Sequence, residues 1–275
     1  MRLLFRSLPL LTLAASCYAA ETAPEGEYIF TNPPATESSD YRIPTSYESA
    51  VLGRRILALT PLGSLATVFP GSSDAQFSSQ EDRPAGLGGM PLALIDYVAD
   101  CEDDGNPTFL AINIATSFKN VRDGSNISLS QHWTPRYPPD KRIKSTVFDW
   151  LFGRGDYDDD GAEDATSYSA ANLPRFNLLG YLEKIDSLSS EELASCFVAK
   201  HPDAKYWLPG NRIHESEFVR LVVTQIYWIG GFGDRAYIGW IPAEEWRNVT
   251  RAEWERVTLP GEKKGWKEWS AFGDL

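Results

Sequence analysis

The chain has 275 residues, a formal net charge of −12 and 12% aromatic residues. Its length allows a sizeable core in one or two domains. The negative charge disfavours nucleic acid and anionic lipid as partners, and no Lys/Arg-rich run offsets that charge. No stretch after the leader reaches about 18 apolar residues, so the sequence predicts no membrane span.

The first 19 residues have the pattern of a secretory signal peptide. Arg2 and Arg6 precede an apolar run, and Ala19 supplies a small residue at the predicted cleavage site. Residues 20–44 are rich in Pro, Thr, Ser and Glu without an apolar period, which predicts a flexible N-terminal arm. We expect a secreted, extracellular protein, with a vacuolar or endolysosomal location as the alternative.

The next segment changes from helical to strand periodicity. Thr45 and Glu48 form a capping-box pattern, and a helix is predicted from there to about Leu59. A second capping box, Ser189 to Glu192, opens another helix. Seven short β-rich segments, most of them bounded by Pro, Gly or Asp, are predicted as strands: 62–69, 91–99, 108–114, 126–133, 175–185, 218–232 and 236–241. Seven strands with three or four helices indicate a mainly β fold with flanking helices, as an antiparallel barrel or an α+β domain.

A polar insertion at about 135–173 interrupts this pattern. It carries six acids between Asp156 and Asp164. The segment 156–161 matches the start of a calcium loop, but Ser167 occupies the position where a bidentate acid is needed. A solvated acidic loop is the favoured interpretation, and no metal site is predicted, since the three His form no H-E-x-x-H motif.

The motifs of common enzyme classes are missing from the sequence. There is no G-x-S-x-G motif, and after Gly231 and Gly233 an alanine, Ala236, stands where a dinucleotide fingerprint needs its third glycine. We therefore assign no catalytic residue.

Two features suit the secretory route. Cys101 and Cys196 remain once the leader is removed, and an oxidising compartment favours a disulfide between them, although two buried thiols stay open as the alternative. Asn126 and Asn248 begin Asn-Ile-Ser and Asn-Val-Thr sequons and are predicted to be N-glycosylated.

The stretch "AINIATSFKNVRDGSNISLS", residues 111–130, is predicted as strand, short helix and strand. Thr116, Ser117 and Lys119 lie in its middle. One interpretation is a helix N-terminus whose backbone N–H groups meet an anion. The other is a structural helix capped by Ser117.

Three segments together resemble the CREG-like branch of the pyridoxamine-phosphate-oxidase-like superfamily. They are "LAINIATSFKNVRDGSNISLS", "RFNLLGYLEKI" and the segment from His201-Pro202 through Trp207 and Trp228 to Trp246. The resemblance covers roughly residues 46–133 and 174–250. It implies an FMN-binding split β-barrel, usually a homodimer, as one domain over 45–250 that contains the insertion and is followed by a C-terminal tail, 251–275.

CREG-like members are secreted or endolysosomal glycoproteins thought to have lost flavin binding. The resemblance thus implies a binding or interaction protein without a cofactor, with an unidentified protein or glycan partner. The alternative is an FMN-dependent oxidoreductase. Its phosphate would be held by Thr116, Ser117 and Lys119, and Trp228 or Trp240 would pack near the flavin ring. The flavoproteins have an Arg-Lys pair at the positions that align with Thr116 and Ser117 here. The loss of this pair favours the binding protein without a cofactor.

Overall fold

The structure is a computed structural model that describes residues 42–71, 84–138, 170–233 and 236–266. The predicted signal peptide, residues 20–41 of the N-terminal arm and the acidic loop 156–161 lie outside the described residues.

Seven strands and five α-helices occur in the described part of the chain. The helices are α1 (Ser46–Leu59), α2 (Thr116–Arg122), α3 (Ser190–Lys200), α4 (Ala243–Asn248) and α5 (Arg251–Arg256). The strands are β1 (Leu62–Val68), β2 (Pro91–Tyr97), β3 (Thr108–Ile112), β4 (Ile127–His132), β5 (Arg175–Lys184), β6 (Ser216–Ile229) and β7 (Ile238–Ile241). Both predicted capping boxes are present, at the starts of α1 and α3.

The strands form one antiparallel sheet in the order β2-β1-β4-β5-β6-β3. β3 pairs with the first part of β6, and β7 pairs with its last part. Beyond β2, Ala99 and Thr108 exchange two backbone hydrogen bonds of 3.1 and 2.6 Å, which join the two ends of the sheet. The predicted fold class, mainly β with flanking helices in a split-barrel arrangement, is confirmed.

The main core lies between the inner face of this sheet and helices α1, α4 and α5. Alternate residues of the strands point inward, among them Leu65, Leu129 and Leu178. Gly53 of α1 lets the Trp246 ring approach the helix, because a Cβ at this position would lie 2.5 Å from a Trp246 ring carbon. The glycine that weakens α1 as an isolated helix therefore allows it to pack.

Arg54 is buried in this core and joins three segments. Its guanidinium donates to the carbonyls of Trp246 and Val249, each at 3.2 Å. It also pairs with the Asp100 carboxylate at 3.2 Å. These bonds connect α1 to the C-terminal helices and to the loop after β2, and they provide the partners that a buried charge requires.

A second apolar cluster forms where α3 packs on the outside of the barrel. Phe197 of α3 contacts Phe218 of β6, with their ring centroids 5.6 Å apart. The sulfur atoms of Cys101 and Cys196 lie 2.11 Å apart, so the structure brings the predicted pair to disulfide distance. His201 ends α3 and is buried there, with Nε2 3.0 Å from the Val98 carbonyl oxygen.

The packed structure continues beyond residue 250, where the sequence predicted a tail. Helix α5 follows directly, and Trp254 and Leu259 are buried in the main core. The apolar residues of this segment are sparse in an otherwise charged sequence, so their pattern gives little indication of burial.

Candidate functional site

Helix α2 is the predicted cofactor-binding element, and the structure places it between β3 and β4. Its Phe118 ring packs toward Phe109 of β3, with 6.5 Å between ring centroids. The Asn120 side-chain amide donates to Thr67 Oγ1 at 3.1 Å, which ties the helix to β1. One side of α2 therefore packs against the barrel.

The three residues predicted to hold an FMN phosphate do not share one open surface. Ser117 is only 3% exposed and lies on the same buried side as Phe118 and Asn120. Thr116 and Lys119 are half-buried and three positions apart, so they are neighbours on the helix surface. The structure therefore brings Thr116 and Lys119 together and turns Ser117 inward.

The capping interpretation of Ser117 is not what the structure shows. The N-cap of α2 is Ala115, and no side chain makes a capping hydrogen bond there. Ser117 is the second residue of the helix. The short helix itself was predicted correctly, but its register was not, because an N-cap preference alone does not fix the first helical residue.

A groove of about 490 Å³ lies beside α2, which contributes Phe118, Val121 and Arg122 to its lining. Thr116, Ser117 and Lys119 are not among the residues that line it. Its charged side chains are two cations and three carboxylates: Arg122, Lys184, Glu183, Glu215 and Glu217. Arg122 already donates to the Asn113 carbonyl, and the Asn113 amide donates to Glu215 Oε2 at 2.9 Å. The groove is thus net acidic, and one of its two cations is already engaged.

These residues fit an FMN phosphate poorly. A phosphate dianion is best held by Arg or Lys on rigid elements. Of the three predicted residues, Lys119 is the one cation, and Ser117 is buried. The carboxylates of the neighbouring groove would repel the anion. The assignment of Thr116, Ser117 and Lys119 to FMN stays a prediction.

The two tryptophans considered for the flavin ring lie on the last part of β6 and on β7, far from α2. Phe109, which faces α2, pairs with Val219, whereas Trp228 is nine residues further along the strand. Trp228 is buried in the core, and Trp240 of β7 is exposed beside Tyr227, with ring centroids 5.2 Å apart. Neither ring adjoins the predicted phosphate residues in the described part of the chain.

The sequence analysis missed a half-buried carboxylate on β2. Asp96 pairs across the sheet with Gly63, on the face that points toward the barrel interior. Burial raises the pKa of Asp96 to about 6, and a hydrogen bond from the Tyr97 backbone N–H opposes that rise. An acid at an inward position of the strand is the sequence signal that could have identified it.

The histidines provide no evidence for a metal site. Burial lowers the pKa of His201, whose ring packs between Tyr97 and Phe197. Among the described residues, no group of three or more His, Cys, Asp or Glu side chains could hold a metal ion. Within the same residues, no helix is long and apolar enough to cross a membrane.

Both predicted glycosylation sites are accessible. Asn126 is exposed immediately before β4, and Asn248 is exposed at the end of α4. Neither side chain is needed by the core, so each position has room for a glycan.

Comparisons with known proteins bear on the family. The family model described as "CREG, beta-barrel" matches residues 44–248. No curated protein matches the chain. Among solved structures, a heme binding protein from Mycobacterium smegmatis is similar at 18% identity and a TM-score of 0.46, over 75% of this chain and 61% of that one. The chain thus spans about three fifths of the length of that protein.

Two further solved structures are similar at lower TM-scores. A FAD-binding protein from Mesorhizobium loti is 13% identical, with a TM-score of 0.34, over 68% of this chain and 96% of that one. The heme storage protein HutZ from Vibrio cholerae is 13% identical, with a TM-score of 0.34, over 65% and 92% of the two chains.

Proposed function

We propose, from the premise that this chain belongs to the CREG beta-barrel family, that it is a secreted, N-glycosylated split-barrel protein that acts by binding a partner and not by flavin chemistry. The observation that carries this proposal is that α2 and the groove beside it fit an FMN phosphate poorly. Ser117 is buried, and the groove beside the helix is lined by three glutamates. A chain that used FMN would need a cationic cradle at that place.

The secretory part of the proposal rests on the leader pattern and on the two exposed sequons. We place the mature protein outside the cell, or in a vacuolar or endolysosomal compartment. A secreted protein also suits a disulfide between Cys101 and Cys196, because oxidising compartments preserve such bonds.

Glycosylation is tested by removing the acceptors one at a time. Asn126→Gln and Asn248→Gln are each expected to lower the mass of the secreted protein by one glycan, because both side chains are exposed. Intact-mass spectrometry before and after enzymatic deglycosylation measures this. Asn211→Gln is the matched control, since Asn211 is not in a sequon. Unchanged masses for both sequon variants would refute glycosylation in that host.

The partner is expected to be a protein or a glycan, with a second copy of the chain as one partner in a homodimer. The support for a homodimer is the outer face of the β1–β2 hairpin, where Leu62, Val68 and Ile95 are exposed. Exposed apolar residues that are clustered in this way are typical of interaction surfaces.

The decisive test of the function is an FMN titration of the secreted protein, followed by flavin fluorescence and by absorbance after dialysis. We expect no saturable binding below about 1 mM, an affinity too weak to retain a cofactor. The matched control is Lys119→Ala, which should behave like the wild type. Micromolar binding that Lys119→Ala weakens would instead support the FMN-dependent oxidoreductase, in which the flavin would supply the redox chemistry.

A further inference from the structure

A cavity of about 290 Å³ lies where the end of β6 meets α1 and the segment 259–266. It is at the other end of β6 from the contacts of α2. Its walls are mainly rings and aliphatic side chains: Trp228, Phe232, Tyr237, Trp266, Leu52, Leu259, Pro174 and Pro260. None of the described residues that line it is charged.

One polar group in this wall has no partner. Ser49 is 1% exposed, and its Oγ makes no hydrogen bond within the described part of the chain. Buried hydroxyls are nearly always hydrogen-bonded, so an orphan of this kind needs an explanation. A water molecule confined here would meet mostly apolar wall, whereas buried waters typically make about three hydrogen bonds.

Two polar atoms of the aromatic walls are engaged. The Tyr237 hydroxyl donates to the Trp240 carbonyl at 2.7 Å, and Trp266 Nε1 donates to the Tyr137 carbonyl at 2.8 Å. Of the two side-chain hydroxyls in the wall, Ser49 is therefore the one available to hydrogen-bond a ligand. Aromatic rings would surround that ligand.

We propose that this cavity binds a small, neutral aromatic molecule whose N–H or O–H donates a hydrogen bond to Ser49 Oγ. Aromatic walls favour stacked or edge-to-face contacts with a ring. A phosphate or carboxylate is disfavoured because no cation lines the cavity. A sugar is disfavoured too, because the Ser49 hydroxyl and the Asn172 side chain cannot satisfy all the hydroxyls that the sugar would bury. The remaining class is a ring system of about the size of indole or a phenol.

This site does not depend on the proposed function. The groove beside α2 is near the start of β6, and the cavity is near the end of β6. FMN bound at α2 would therefore not occupy the cavity. A positive FMN titration would refute the proposed function and leave the cavity proposal standing, and a negative titration does not bear on it.

Indole is the probe, and benzothiophene, which has a similar shape and no N–H, is the comparison. Ligand-observed NMR on the intact secreted protein should give a dissociation constant of about 1 mM or below for indole. Ser49→Ala should weaken indole binding about five-fold and leave benzothiophene binding unchanged, because the variant removes one hydrogen bond and little volume. An equal change for both ligands would overturn the role of Ser49.

Two further variants test the location. Leu52→Phe should fill the cavity and abolish the binding of both ligands, and Ala236→Leu fills it from the opposite wall if the first variant does not fold. Ile213→Ser, at a 76% exposed loop position, is the control for surface binding and should change nothing. The proposal is overturned if indole shows no saturable binding, or if binding survives in a folded, cavity-filled variant.

Discussion

At the scale of single residues, two charged side chains, the buried Arg54 and the half-buried Asp96, depend on their surroundings for their partners or their charge state. Arg54 follows Gly53 on α1 and is fully buried, with carbonyl partners at 246–249 and a carboxylate partner in the loop after β2. Asp96 points inward and pairs across the sheet with Gly63. Burial disfavours the charged form of Asp96 and raises its pKa to about 6.

This pKa shift predicts that Asp96 makes stability depend on pH. An unfolded aspartate titrates near pH 3.9, so the folded state binds the proton more tightly. The stability that the folded protein gains from this tighter proton binding at Asp96 is fully present below about pH 4 and is lost as pH rises through about 6. Relative to the wild type, Asp96→Asn should gain up to about 3 kcal/mol in free energy of unfolding at pH 7, and little at pH 4.

Urea unfolding of both proteins across this pH range measures the difference. Asp186→Asn, at an exposed position, is the control and should follow the wild type. Asp100, whose pKa burial also raises to about 6, leaves a residual slope in the variant. The prediction would be contradicted if the free energies of unfolding of the wild type and of Asp96→Asn changed in parallel with pH over the whole range.

At the scale of elements, helix α3 is attached to the outside of the barrel by its apolar face and by the disulfide. Cys196 lies on α3 and Cys101 lies in the loop after β2, 95 positions away in the sequence. A cross-link between such distant positions restricts the unfolded chain strongly, so it stabilises the fold.

We expect the double variant Cys101→Ala, Cys196→Ala to lose about 2–5 kcal/mol in free energy of unfolding. Denaturant unfolding under non-reducing conditions gives this value. Reduction of the wild type should have a comparable effect and no effect on the double variant, which separates loss of the bond from loss of packing. Labelling of both thiols in the native wild type would show that the bond is absent.

At the scale of the whole molecule, the outer face of the β1–β2 hairpin exposes apolar side chains that the core does not use. Ile95 is 71% exposed there, and Leu62 and Val68 are exposed on the same face of β1. The register pairs Ser64 with Ile95, so these side chains share the outward face. This surface is the one we assign to a homodimer.

In the proposed homodimer, Ile95→Glu should shift the protein to a monomer, because the substitution places a charge in an apolar interface. Its melting temperature at low concentration should stay close to that of the monomeric wild type, since Ile95 does not enter the core. Light scattering coupled to size-exclusion chromatography measures the mass. Ile213→Glu, an equally exposed change on another surface, should remain dimeric. A monomeric wild type would refute the assignment.

The sequence by itself determined the elements. Seven strands and the two capped helices were predicted near their observed positions, because period-two alternation and capping are properties of neighbouring residues. The resemblance of the quoted segments added the split-barrel fold. The even number of cysteines after the predicted leader favoured a pair between Cys101 and Cys196, and the structure brings the two sulfur atoms to disulfide distance.

Only the tertiary structure decided which polar residues are buried and which surfaces are free. The burial of Arg54 depends on Trp246 and Val249, and the inward turn of Ser117 depends on how α2 packs against β1. The cavity at Ser49 is formed by residues that are more than two hundred positions apart in the sequence, Ser49 and Trp266 among them. Local patterns specify helices and strands, but desolvation and long-range contact are set by the assembled chain, and these decide what the side chains can bind.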